Sequence, residues 1–139
     1  LCEGMDKDGV LHTIDNNKEL VKIQNKYFKK ANLKDKIVQH SGDAKNIIPS
    51  IDEEFDIVFI DADKESYPEY YDLIINKVSS GGIIIADNIL WSGKILEKVG
   101  KDDQATKSII EFNNKITRDD RVKNIILPIR DGLNIVRKN

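Results

Sequence analysis

Two apolar runs that end in acids constrain this chain more than anything else in it. They are FDIVFIDADK, Phe55 to Lys64, and GGIIIADN, Gly81 to Asn88. Both read as short buried strands. Phe55 to Ile60 is apolar at almost every position apart from Asp56, the mark of a strand covered on both faces, as parallel strands are. Asp61, Asp63, Asp87 and Asn88 are therefore expected to arrive together at one rim of a sheet.

The remaining segments repeat a strand and helix unit. Val10 to Asp15 alternates apolar and polar residues after the turn-like Asp6-Lys7-Asp8-Gly9, which predicts a strand. Leu20, Ile23, Tyr27, Phe28 and Ala31 then recur at helical spacing, with Asn17 as a capping residue and Asn32 closing the helix. Ile37 to His40 reads as a second short strand, followed by Ser41-Gly42-Asp43 and a brief helix through Ile47 and Ile48 to Pro49. Tyr67 to Val78 carries Tyr70, Tyr71, Ile74, Ile75 and Val78 as a helical stripe that ends at the turn Ser79-Ser80-Gly81-Gly82. Ile83 to Ala86 is the strand after it. The segment Ile89 to Asp103, containing Trp91, is longer than a simple connection requires, as functional lids are. Gln104 to Ile116 predicts a helix with Ile109, Ile110 and Phe112 inward. Val122 to Pro128 and Leu133 to Arg137 flank Arg130-Asp131-Gly132 as a hairpin. This order implies one α/β domain over residues 1–139, a three-layer sandwich with a mostly parallel sheet and an antiparallel C-terminal hairpin.

Composition narrows the partners. With 22 basic and 24 acidic residues the net charge is -2, which gives no global attraction to nucleic acid or to an anionic membrane and favours a small polar substrate. The single cysteine, Cys2, cannot form an internal disulfide and stands at no metal-ligand spacing, so a reducing cytoplasm is the expected compartment. No apolar run approaches the roughly 20 residues that cross a bilayer.

In open α/β sheets ligands bind outside the carboxyl ends of the strands, and Asp15, Asp43, Asp61 and Asp87 each sit at or just past such an end. Asp15 suits a ribose diol, or equally an ordinary helix N-cap. Asp43 suits an adenine amino group, or a turn or cap. Asp61 and Asp63 crowd like charges that a hard divalent cation with oxygen ligands would relieve, and Asp87 and Asn88 add a second carboxylate and an amide oxygen. Mg²⁺ is the natural ion, the alternative being that these acids cap the helices that follow. Lys64 is placed to take a proton from a hydroxyl at such a site, or else forms a surface salt bridge. Trp91 offers an aromatic wall for a flat substrate, or an anchor for its loop. His12 and His40 read as structural or exposed.

Taken together, Asp15 within TIDNN, Gly42-Asp43-Ala44, FDIVFIDADK, the tyrosines of SYPEYY, GGIIIADNILWSG and DGLNIVRK resemble the cation-dependent O-methyltransferases of the caffeoyl-CoA and catechol type, from about Val10 to Lys138. The resemblance implies a Rossmann-like class I methyltransferase fold that binds S-adenosylmethionine. Asp15 would hold the ribose, Asp43 and Ala44 the adenine region, and Asp63 and Tyr70 the methionine end. Asp61 would serve both the cofactor side and the metal, which Asp87 and Asn88 complete. Lys64 matches the general base, Trp91 borders a small hydroxyl acceptor, and a homodimer is expected. It also implies that a first strand and its Gly-rich loop belong before residue 1, with Leu1 to Met5 as the tail of the following helix, so that the neighbouring strands should expose apolar edges. The alternative is a truncated, non-catalytic binding or scaffold domain of the same fold. No G-x-G-x-x-G supports a nucleotide-dependent oxidoreductase, and DADKES lacks the threonine of an aspartate-nucleophile phosphatase.

Overall fold

A computed structural model describes all 139 residues, which divide into two compact units, Leu1–Ile51 and Asp52–Asn139.

In the first unit, β1 (Leu11–Asp15) pairs in parallel with β2 (Ile37–Ser41), Leu11 opposite Ile37 and Asp15 opposite Ser41. Helix α1 (Val21–Lys30) connects them, and α2 (Ala44–Ile47) follows β2. Asn17 accepts the Glu19 N–H and starts the helical segment, and Asn32 ends it in the left-handed region at φ 56°. The helical stripe is formed as the spacing predicts, but within this chain it is not buried: Leu20, Ile23 and Tyr27 are exposed and no residue of α1 is buried. Polar contacts hold α1 instead, with Gln24 donating to Asp15 and Asn25 donating to Gln39. Cys2–Gly4, where a helix tail was expected, is a single 3₁₀ turn.

In the second unit the strand order is β3-β4-β6-β5, with β3 (Phe55–Ile60), β4 (Val78–Asp87), β5 (Val122–Leu127) and β6 (Leu133–Lys138). β3 and β4 are parallel, and β6 runs antiparallel to both β4 and β5, so only β6 opposes the common direction. This is the α/β class expected, a mostly parallel Rossmann-like arrangement closed by an antiparallel hairpin. Helices α3 (Tyr67–Ile75) and α4 (Gln104–Thr117) supply Tyr67, Tyr71, Ile75, Ile109, Phe112 and Ile116 to the core. Ile84, Ala86 and Val136 complete it from β4 and β6. Phe112 meets Tyr67 and Tyr71 edge-on, at ring-centroid distances of 5.3 and 6.2 Å.

Two expectations change. β3 is an edge strand, as the resemblance implies for a neighbour of the first strand, but it is not covered on both faces: Ile57 is 56% and Phe59 50% exposed, and only Ile60 is buried. An apolar run is compatible with either position, because periodicity carries no information about neighbours outside the segment. Ser79 to Gly82 does not form a turn after the helix; α3 stops at Ile75 and β4 already begins at Val78, opposite Phe55. The extra residues of β4 are taken up by a register shift before Ile57 pairs with Ile83. Gly82 permits it, since a Cβ there would meet Val78 Cγ1 at 2.7 Å and the Ser79 carbonyl at 2.9 Å. No helix is long and apolar enough to cross a membrane.

Candidate active site

In the second unit the site is built where two parallel strands end side by side. Ile60 pairs with Ala86, so Asp61 and Asp87 leave the sheet as neighbours at the carboxyl ends of β3 and β4. The hydroxyl of Tyr67 lies there, 3.2 Å from the Ile60 carbonyl and 3.1 Å from the Asp87 carbonyl. Tyr67 is fully buried, and Lys64 Nζ donates to the same hydroxyl at 2.6 Å and to Asp61 Oδ1 at 3.2 Å. The Lys64 side chain is 11% exposed, against 51% for Asp61, so the pair places a largely covered ammonium beside a carboxylate open to solvent.

Burial pushes the Tyr67 hydroxyl well above the usual phenol range, and the charges of Asp61 and Asp87 push it further. The phenol therefore stays protonated: its oxygen accepts a hydrogen bond from Lys64 Nζ, and its own O–H donates to a strand-end carbonyl. Asp63 sits one turn away and accepts a 2.5 Å hydrogen bond from the Tyr70 hydroxyl. Asn88 follows Asp87 in the left-handed region at φ 60°, with its N–H donating to Asp87 Oδ1 at 2.7 Å. The Trp91 N–H donates to the Asn88 carbonyl at 3.2 Å. Asp61, Asp63, Lys64, Tyr70, Asp87, Asn88 and Trp91 thus gather along one rim.

No group of three or more His, Cys, Asp or Glu side chains is arranged to hold a metal ion. The set expected from the sequence is of another kind, two carboxylates and an amide oxygen. Its donors are all hard oxygens on adjacent strand ends, a donor set of the kind that Mg²⁺ or a similar ion takes while keeping several waters.

The first unit holds the other predicted residues. Asp15 Oδ1 accepts the Asn17 N–H and Oδ2 the Gln24 amide, each at 2.9 Å. Asp43 caps α2 by accepting the Lys45 N–H at 2.9 Å, and Ala44 is the first residue of that helix. Both carboxylates keep further lone pairs, since an ionised carboxylate accepts about four hydrogen bonds. Gly42 donates its N–H to the Asp15 carbonyl at 3.0 Å and so fastens the end of β2 to the end of β1. His12 and His40 are neither isolated nor loose: Nδ1 of His12 lies 3.1 Å from Nε2 of His40, and the rings stack at 5.2 Å. Burial first, and then the neighbouring His12, lowers the His40 pKa below the usual histidine value.

Sequence reasoning missed Tyr67, although its spacing of three from Lys64 and from Tyr70 puts all three on one helical face. It also missed Asn113, which donates to the Ile89 carbonyl at 3.0 Å, and Asp131, whose carboxylate accepts the Ser92 N–H. No local pattern marks Asn113, and Asp131 is marked only as part of the hairpin turn.

Comparison with known proteins gives the assignment. Tricin synthase 2 of Oryza sativa subsp. japonica is 33% identical over 94% of this chain and 49% of its own length. Caffeoyl-CoA O-methyltransferase of Populus kitakamiensis is 33% identical over 95% of this chain and 60% of its own length. The chain thus spans about half to three-fifths of these curated relatives. The crystal structure of the O-methyltransferase from Bacillus cereus in complex with SAH superposes with a TM-score of 0.92 at 26% identity, covering 98% of this chain and 66% of that one. The family model described as O-methyltransferase matches residues 1–139, and this chain belongs to the O-methyltransferase family.

Proposed function

We propose that the protein is an S-adenosylmethionine-dependent, divalent-metal-dependent O-methyltransferase acting on a hydroxyl of a small catechol-like molecule. The observation that carries this reading is the meeting of Asp61, Lys64 and Asp87 at the paired ends of β3 and β4, where Lys64 Nζ stands 3.2 Å from Asp61. Asp61, Asp87 and Asn88 would hold the cation, which when bound lowers the pKa of a coordinated hydroxyl. Asp15 would accept the ribose hydroxyls, Asp43 and Ala44 would face the adenine, and Asp63 with Tyr70 would border the methionine end. S-adenosylmethionine, when bound, supplies a sulfonium methyl group.

Lys64 takes the acceptor's proton at Nζ. To do so it must be neutral when the acceptor arrives, and Asp61 and the Tyr67 hydroxyl hold Nζ in place for that transfer. Tyr67 keeps Nζ at the strand ends throughout, because its hydroxyl can accept from an ammonium or donate to an amine. Trp91 gives a flat acceptor a wall. Most of the rate enhancement asked of these residues is orientation and proton removal, and the second is worth about 10²- to 10⁴-fold.

Titration calorimetry with S-adenosylmethionine and with MgCl₂ tests the reading, alongside methyl transfer to caffeoyl-CoA and to catechol. Lys64→Ala should lower kcat by about 10²-fold or more while both ligands still bind. Binding of neither ligand would sink the proposal. That outcome, with a normal melting transition, would favour the non-catalytic scaffold reading, which the capping role of Asp43 supports.

A further inference from the structure

Trp91 and Ser92 lie in the left-handed region at φ 48° and 54°, and Gly93 follows at φ 81°. Two consecutive side chains larger than glycine in this region are strained, and such strain persists only where the surroundings impose it. The indole does not impose it: Trp91 Nε1 is buried with no hydrogen-bond partner, so the ring holds its place without the one polar bond it can make. The backbone does. The Asp131 carboxylate accepts the Ser92 N–H, and the Asp131 carbonyl accepts the Leu90 N–H at 2.9 Å. One residue of the β5–β6 hairpin therefore binds the chain on both sides of Trp91. Its neighbour Gly132, at φ 83°, accepts the Ile89 N–H at 3.2 Å and gives Leu90 room, since a Cβ there would run into the Leu90 side chain.

We propose that Asp131 is a positioning residue for the acceptor: by holding Leu90 and Ser92 from the hairpin tip it fixes where the Trp91 ring stands. The link to the acceptor rests on the methyltransferase reading above, whereas the link from Asp131 to Trp91 does not. Asp131 is 39 residues beyond Ser92 in sequence and meets no reacting atom. It acts through the loop alone, as a specificity determinant whose loss should weaken acceptor binding more than turnover.

The test uses the chain's single tryptophan as its own reporter. Acrylamide quenching of Trp91 emission is measured for the protein and for Asp131→Ala, Asp131→Asn and Asp131→Glu, without substrate or metal. Asparagine keeps an oxygen acceptor in place, whereas glutamate keeps the charge but carries it a methylene too far. Quenching should rise about twofold or more in Asp131→Ala and Asp131→Glu and stay near the parent value in Asp131→Asn. Unchanged quenching in the alanine and glutamate variants overturns the proposal, as does an asparagine variant that behaves like alanine. If the alanine variant does not fold, the glutamate and asparagine pair decides. KM for caffeoyl-CoA is then expected to rise about tenfold in Asp131→Glu, with kcat within about twofold. A moved Trp91 with unchanged KM overturns the acceptor role. No methyl transfer by the parent protein would overturn the functional reading and leave the quenching result on Asp131 to stand by itself.

Discussion

Leu1–Ile51 and Asp52–Asn139 are built from the same strand and helix unit, yet they are held together differently. In the first, Leu20 before α1 and Ile23 and Tyr27 on it face solvent, and α1 meets the strands through Gln24, Asn25, Asp15 and Gln39. In the second, α3 and α4 bury Tyr67, Tyr71, Ile109 and Phe112 completely. Neutral hydrogen bonds contribute about 0.5 to 1.5 kcal/mol each after their exchange with water. A fully buried large apolar side chain contributes about 1.5 to 3 kcal/mol. An amphipathic stripe is thus a statement of what a helix can bury. Whether it does so depends on what the chain places against it.

The largest effect expected from this contrast lies in the aromatic cluster. Phe112→Ala should cost about 3 to 5 kcal/mol, because the two tyrosines that meet its ring would border a cavity. Tyr27→Ala, at a residue 57% exposed, should cost within about 0.5 kcal/mol. Urea denaturation followed by circular dichroism gives both values, and a Tyr27 variant that lost as much as the Phe112 variant would erase the distinction.

A smaller effect separates two caps of the same residue type. Asp103 accepts from both the N–H and the hydroxyl of Thr106 at the start of the fourteen-residue α4, whereas Asp43 accepts one N–H from the four-residue α2. Each Asp→Ala change removes an N-cap worth about 0.5 to 2 kcal/mol, and the Asp103 variant should lie at the upper end. Melting temperatures of the two variants, compared in one buffer, decide the order.

The smallest effect is in pH. The folded His40 pKa lies below its unfolded value of about 6.5, so its contribution to stability is present above that pH and is lost as pH falls through the folded value. A second proton on the pair would also break the bond between His12 and His40. In the second unit, the Arg121 side chain holds the Asp119 carboxyl well below the usual carboxylate range, so that stability is lost only in much stronger acid. Hydrogen exchange at pH 7.5 and 5.5, corrected for intrinsic rates, should therefore show β1 and β2 amides opening more readily while β4 and β6 amides hold. Equal change in both sheets would refute the assignment.

Much of this organisation is legible in the sequence because its signals are local. The acids after Ile60 and Ala86, the hairpin around Arg130-Asp131-Gly132 and the capping Asn17 each announce themselves within a few residues. What was not legible depends on distance. Whether both faces of β3 are covered, whether His12 meets His40, and whether Asn113 reaches the Ile89 carbonyl are settled by contacts across the chain. Ser79 to Gly82 misled for a related reason: Ser and Gly signal a turn, but the pairing of Phe55 with Val78 draws them into a strand. The site was readable in its acids and its lysine, and unreadable in the groups that hold them.

Tyr67 carries a consequence for how tolerance to change should be judged. A hydrophobicity scale ranks Tyr67→Phe as a neutral or favourable exchange in a core, yet the hydroxyl is the only side-chain oxygen reaching the Ile60 and Asp87 carbonyls, at 3.2 and 3.1 Å. It has one proton to give. Rotation about a single C–O bond passes that proton from one strand to the other without moving a heavy atom, so the rim has a built-in degree of freedom that an apolar isostere would delete while leaving the packing unaltered.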